Sequence, residues 1–427
     1  MGILVYKKHS LNLPFISPTP GHITIGASSI VILNTVENTQ QKLIDTYSNV
    51  VDMDFNLFVA EGNYTSTQPG IFTTFKDKNF WSRLGTLDLN SITSYVNALK
   101  KYDNLKMWFI IDEPKSDDLE KVSDCMKLIH QLDNTRISWS NIIPNKMGGS
   151  LELVPSGIDD FYLKWMQEVN KIVYPSLWSF DNYPFKMIYG TNDIVYDQKA
   201  YNNIIQAYHN LSKETNRPFW SFCLACQIIS VKDKNNINGE WNYNYPAPDL
   251  GQLRVEAFTA LAYGAQGIIF WPIRQRTIEE TFSSISSNEF YTNAILNYDG
   301  SINQKQKDIS EQVIKEIKEL DKYFYNCKIT NYLLCTSSNN DSINFGPINS
   351  INLNKQYGVL ISLFTKDNNK YFAIVNQNAF EKQTLNLSFN QKVKLEYSLN
   401  QDNLNNTIQE NILTITTEPG ECLIFSY

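Results

Sequence analysis

From about residue 21 to residue 325, short apolar runs alternate with stretches whose apolar residues recur at helical spacing. The runs read as strands are "HITIGAS", "DFNLFVAEG" (54–62), "LKMWFIIDEP" (105–114), "RISWSNIIP" (136–144), "PSLWSFDNYP" (175–184), "PFWSFCLACQ" (218–227) and "GIIFWPI" (267–273). Between them lie helix candidates such as "TQQKLIDTYSNVV", "NSITSYVNALKKY", "DDLEKVSDCMKLIHQL", "YNNIIQAYHNLSKET" and "LGQLRVEAFTALAYGA". Strands that are apolar on both faces and separated by helices predict a parallel sheet covered by helices. Seven strands are visible, and an eighth, degenerate third strand has room between Gly62 and Leu89. The expected architecture is therefore an α/β fold, a (β/α)8 TIM barrel, with a doubly wound open sheet as the alternative. No G-x-G-x-x-G follows the first strand and no P-loop occurs, which counts against the open nucleotide-binding sheet.

The pattern changes after the long helical stretch 303–326. "YGVLISLFTK", "KYFAIVNQN", "QTLNLSFN", "VKLEYSL", "NILTITT" and "GECLIFSY" alternate apolar and polar residues, with Asn, Gly and Pro between them. Residues 1–325 are accordingly assigned to the barrel and 326–427 to a small antiparallel β-sandwich, docked through the long helix.

A chain of 427 residues, 42% hydrophobic and 19% charged, can bury a large core. Its net charge of −7, with Lys and Arg scattered, argues against nucleic acid or an anionic membrane as partner. Six cysteines are too few for a disulfide scaffold and read as buried thiols; Cys223 and Cys226 form a C-x-x-C with no His or second pair to complete a zinc site. Only four histidines occur, which leaves little material for a metal centre or a Ser-His-Asp triad, so neither metal nor cofactor is expected. No apolar segment reaches the ~20 residues of a membrane span. The opening "MGILVYKKHS" lacks the apolar core of a signal peptide. The expectation is an exported protein, periplasmic, cell-surface or extracellular, whose leader is absent from this chain. Abundant aromatics (24 Tyr, 23 Phe, 8 Trp) suit stacking on sugar rings, though cores use them as well.

In a parallel barrel the reactive groups lie at the C-terminal strand ends. Those ends carry Glu61, then Asp112 with Glu113, Asn141, Asp181 with Tyr183, Gln227, and finally Trp271 with Arg274. Carboxylates, amides and aromatics together are the kit for binding and cleaving a polyol. Glycoside hydrolysis needs one carboxyl that donates a proton to the leaving oxygen and a second negative group that stabilises the oxocarbenium-like centre. Glu113, at the lip of an apolar strand, can have its pKa raised by desolvation and by a neighbouring acid. In a regular strand Asp112 would point to the opposite side from Glu113 and could hold a loop instead. Asp181 could cap the turn that Asn182 and Pro184 imply, and Glu61 could pair with a cation.

With these residues in place, "FIIDEP" (109–114), "FDNYPF" (180–185) and "AFTALAYGAQGIIFW" (257–271) make residues 20–325 resemble the barrel glycoside hydrolases, in particular bacterial proteins related to family 42 β-galactosidases and barrel cellulases. The all-β tail is similar to the sandwich domain that trails such barrels. The resemblance implies cleavage of an O-glycosidic bond in an oligo- or polysaccharide, with Glu113 as general acid/base. It departs from the family at two points: Asp112–Glu113 stands where an Asn-Glu pair is usual, and Gln227 ends the seventh run where a nucleophile Glu is expected. Asp181 or Glu61 could supply the second carboxylate. The Asp-Glu pair also resembles that of substrate-assisted N-acetylhexosaminidases, in which the Asp orients the substrate's acetamido group and Tyr183 could contact it. A barrel that binds a glycan without cleaving it is the third possibility.

Overall fold

The computed structural model describes residues 15–28, 40–141, 160–191, 193–233, 239–276, 289–335, 342–354, 357–400, 408 and 411–427. Every run read as a barrel strand becomes a parallel strand, named β1 (Thr24–Ala27), β2 (Leu57–Ala60), β4 (Leu105–Asp112), β5 (Ile137–Asn141), β6 (Trp178–Asp181), β9 (Phe219–Leu224) and β12 (Gly267–Trp271). The missing strand is β3 (Phe80–Arg83), inside the window left open for it. The sheet order is β5, β4, β3, β2, β1, β12, β9, β6, a TIM barrel. Residues 142–144 of the fifth run lie outside the described residues.

Helices α1 (Gln40–Ser48), α2 (Thr67–Thr74), α3 (Leu89–Leu99), α4 (Leu119–Leu132), α5 (Asp160–Ile172), α6 (Gln198–Thr215), α7 (Leu250–Ala262) and α8 (Gln304–Phe324) surround it. Three of the starts are set by side-chain caps: Asp88 accepts from Ser91 N, Asp197 from Ala200 N, and Asp249 and Gln252 form a capping box. The end strands β5 and β6 meet through side chains. Ser179 Oγ donates to Asn141 Oδ1 (3.0 Å), and Asn141 Nδ2 to Asp181 Oδ1 (2.9 Å).

Large and small residues interleave inside the barrel. Trp81 on β3, Trp139 on β5 and Trp220 on β9 are buried, and Trp139 lies 5.6 Å from Trp81 and 5.5 Å from Trp220 by ring centroid. Gly26 and Gly267 make the room. A Cβ on Gly267 would come within 2.5 Å of the Trp220 ring, and one on Gly26 within 2.5 Å of Ile269 Cδ1. The barrel is thus a packed core below an open mouth.

The tail forms a five-stranded antiparallel sheet and a three-stranded one. The six predicted segments are present as Val359–Lys366, Asn369–Asn376, Gln383–Phe389, Lys394–Tyr397, Ile412–Thr417 and Cys422–Ser426, and two further strands, Lys328–Cys335 and Ile348–Leu353, join them. One face of the larger sheet shares the barrel's hydrophobic core through Leu360, Phe364, Val375 and Ile424. All six cysteines are free, five of them buried. Among the described residues no helix is long and apolar enough to cross a membrane.

Candidate active site

Strand β4 does not run regularly to its acids. Phe109 pairs with Trp139 and Asp112 with Asn141, so three steps on β4 oppose two on β5, which is a β-bulge. The extra residue reverses the alternation beyond it. Phe109 and Asp112 therefore both line the mouth, whereas a regular strand would send Asp112 to the other side. The bulge precedes Asp112, where β4 ends, and the charges of both Glu113 and Asp112 reach Asp181. Glu113 follows with φ = 47°, a left-handed conformation that costs a non-glycine residue about 1 kcal/mol or more, and its N–H donates to Asn141 O at 2.9 Å. Strain of this kind is retained where the surroundings over-determine it.

Asp181 ends β6 across the seam. Burial pushes its carboxyl well above the usual carboxylate range, and the charges of Glu113 and then Asp112 push the same way against the opposing bond from Asn141. Asn141 Nδ2 also approaches Asp112 Oδ1 at 3.4 Å. One amide therefore spans the two aspartates, and β4, β5 and β6 bring three carboxyls to one side of the mouth. Burial and both neighbours favour the protonated form of Asp181.

Arg83, at the end of β3, faces them. Its Nη1 binds Glu61 Oε1 at 3.0 Å and its Nη2 lies 3.9 Å from Asp112 Oδ2. Glu61 is 3% exposed and holds Arg83 from a buried position. Ser28, Val59, Trp81, Arg83, Phe109, Asp112, Trp139, Phe222 and Trp271 line a small depression of ≈280 Å³. Tyr183 lies parallel to Trp271, with ring centroids 6.0 Å apart, and meets Tyr245 edge-on at 5.7 Å. Its hydroxyl is buried and has no hydrogen-bond partner among the described residues, as is also true of the Trp139 indole N–H.

Gln227 lies on a strand outside the barrel sheet, and Arg274 is buried. Strand β9 ends at Leu224, and Gln227 begins a separate strand, β10 (Gln227–Val231), which pairs with β11 (Trp241–Tyr245) and β13 (Glu289–Thr292) above the barrel. Gln227 bonds Asn244, Thr292 and Asn293 there. Arg274 is buried, 2% exposed, and donates to Tyr298 O. The end of β9 carries Leu224, Ala225 and Cys226 and no carboxylate. Among the described residues, no three or more His, Cys, Asp or Glu side chains come together as ligands for a metal ion.

No family model matches the chain, and no curated protein matches it. Solved structures do. The chain shares the fold of a GH42 beta-galactosidase from G. stearothermophilus, solved as a catalytic mutant, with a TM-score of 0.56 at 8% identity over 96% of this chain and 99% of that one. An endo-beta-1,4-mannanase from Thermotoga petrophila is also similar, with a TM-score of 0.45 at 10% identity over 93% and 97% of the two chains.

Sequence reasoning missed Arg83 because β3 is only "FWSR", preceded by the polar "KDKN". It also missed Glu256 of α7, 1% exposed, whose Oε2 accepts from Leu224 N at 2.8 Å at the end of β9. The signal for Glu256 was a lone acid among apolar residues in "LGQLRVEAFTALA". Burial pushes its carboxyl up to about 8.

Proposed function

We propose that the protein is a glycoside hydrolase that cleaves an O-glycosidic bond of a neutral oligo- or polysaccharide at the mouth formed by Asp112, Glu113 and Asp181. The observation that carries this reading is the grouping of three carboxyls in which one, Asp181, is driven to hold a proton by burial and by its two neighbours. A protonated acid can donate to the leaving oxygen while an ionised one stabilises the oxocarbenium-like centre or attacks it. The raised carboxyl of Asp181 makes it the donor in this reading, and Glu113 is taken as the second carboxylate. The family resemblance favours Glu113 as acid/base. Asp112, held beside Arg83 and Asn141, orients the ring hydroxyls, and Trp271 with Tyr183 supplies the apolar face. Arg83 is engaged by Glu61 and Asp112, so an uncharged sugar is the class that fits. In this reading residues 1–325 carry the chemistry and 326–427 buttress it.

Azide rescue with an activated aryl glycoside tests the assignment. In a retaining enzyme, azide restores turnover of an acid/base variant with retained configuration and of a nucleophile variant with inverted configuration. Retention in Asp181→Ala and inversion in Glu113→Ala are expected; the opposite pattern exchanges the roles. Full activity in both variants would sink the reading.

The missing carboxylate at the end of β9 favours a second reading, in which the substrate's acetamide is the nucleophile and Asp112 orients it. Turnover confined to N-acetylhexosaminides would identify that case. Glycan binding with no turnover on a panel of aryl glycosides would identify a barrel that binds without cleaving.

A further inference from the structure

The chain that leaves β6 past Asp181 and Tyr183 forms a hairpin of β7 (Phe185–Met187) and β8 (Ile194–Tyr196), and β11 lies beside β7. The seam between them has an aromatic contact at each end. At the inner end Tyr245 of β11 meets Tyr183, which lies parallel to mouth-lining Trp271. Lys186 Nζ stands 5.7 Å from the Tyr245 ring. At the outer end Trp241 of β11 meets Tyr189 edge-on at 5.3 Å. From Tyr245 to Trp241 a strand covers roughly 13 Å, more than the width of one pyranose ring. The outer contact is open to solvent: Tyr189 is 52% exposed, and Ile188, Ile194 and Val195 beside it are also exposed.

We infer that Tyr189 and Trp241 form an outer sugar-binding site for the distal part of a glycan chain whose reacting bond lies in the mouth, so that the substrate is an extended neutral chain. This rests on the glycosidase reading above. The seam begins at the mouth, so whatever enters there and is longer than one ring must leave along some path over the rim. Along this path the outer end offers an exposed Tyr189 and a half-buried Trp241, with the Lys186 ammonium beside the inner Tyr245 ring, apolar faces next to a polar group such as a sugar ring requires. A second copy of the chain is the weaker occupant. Five apolar side chains edged by Asp193 and Asp197 are small beside the ~800 Å² per partner of a stable protein interface.

The test is kcat/KM on neutral manno-, cello-, xylo- and galacto-oligosaccharides of increasing length, set against the aryl monoglycoside, for wild type, Trp241→Ala, Tyr189→Ala and Trp241→Phe. In wild type kcat/KM should rise with length. Each alanine variant should lower the ratio of longest chain to monoglycoside about fivefold or more, and Trp241→Phe, which keeps a ring, should restore most of it. Ile412→Ala, exposed on the sandwich, is the control that leaves both rates unchanged. A rate independent of length, or equal losses on short and long substrates, overturns the inference. If wild type turns over nothing, the glycosidase reading fails by itself. Affinity electrophoresis in glucomannan or galactan gels then decides: retardation weakened by Trp241→Ala supports the outer site, and unchanged or absent retardation overturns it. A concentration-dependent dimer broken by Trp241→Ala also overturns it.

Discussion

Asp181 and Glu256 are two carboxyls whose folded-state pKa lies above the ordinary value, and the sign of their linkage is the same. The folded state binds the proton more tightly than the unfolded chain, so each group's contribution is fully present below the ordinary carboxyl range and is lost as pH rises through the raised value. For Glu256 that window runs from the ordinary value, 4.5, up to about 8. Glu256→Gln keeps an acceptor for Leu224 N and removes the charge. It should flatten the pH dependence of thermal stability and be the more stable protein near neutral pH, by on the order of 3 kcal/mol; a variant that tracks wild type from pH 5 to 8 would contradict the buried-acid account. Asp181 is raised by neighbours as well as by burial, so its value should respond to them. If it donates the proton, activity falls as pH rises through its pKa. Asp112→Asn removes one repelling charge and should move that basic limb to lower pH. An unmoved or upward-shifted limb in the pH profile of kcat/KM would take the proton away from Asp181.

The interleaving of glycine and tryptophan that fills the barrel makes a prediction about β12. Gly267→Ala forces a Cβ to 2.5 Å from the Trp220 ring, and a rigid indole in a packed interior cannot yield without cost. A loss of about 1–3 kcal/mol is expected, with part recovered in Gly267→Ala/Trp220→Phe; strictly additive effects in that double-mutant cycle, measured by denaturant unfolding, would show that the two do not press on each other. The same strands show what the sequence could and could not reveal. β4 was legible because "LKMWFII" is apolar at every step beyond Lys106, and β9 and β12 for the same reason. The bulge in β4 was not, because it is a property of the pairing with β5 and leaves no mark in β4 alone. Gln227 was misread because "PFWSFCLACQ" is continuous in hydrophobicity although the chain leaves the barrel at Leu224. The acids at strand ends could be placed from the barrel rule alone. Arg83, whose role comes from partners on β2 and β4, could not. Nor could β10, β11 and β13, each of which is stable only against the others.

The sandwich is attached to the barrel by polar groups that neither could bury alone. Gln377 is fully buried, and its Oε1 accepts from Tyr196 Oη at 2.8 Å and Asn202 Nδ2 at 3.0 Å while its Nε2 donates to Thr259 Oγ1 at 2.8 Å. One amide thus ties the sandwich to the β7–β8 hairpin, α6 and α7. Backbone approach is equally close, since a Cβ on Gly251 would meet Ala379 O at 2.1 Å and one on Gly420 would meet Gly251 O at 2.5 Å. Behind this contact Arg254 of α7 grips Glu316 of α8 through two bonds of 2.8 and 2.6 Å, both side chains buried. Apolar residues of both parts share one core, so unfolding either exposes apolar surface of the other, while the two tail sheets also enclose a core of their own. Thermal unfolding should therefore be a single transition, coincident by far-UV circular dichroism and tryptophan fluorescence. Gln377→Ala leaves three buried groups without their partner and should lower stability by on the order of 3 kcal/mol. Glu316→Gln strands a buried guanidinium and should cost about 3–5 kcal/mol. In both variants the two probes should shift together. If fluorescence, dominated by Trp81, Trp139 and Trp220 inside the barrel, stays at the wild-type midpoint while a sandwich signal melts earlier, the barrel stands without its buttress. The hairpin carrying Tyr189 would then be held by β11 alone.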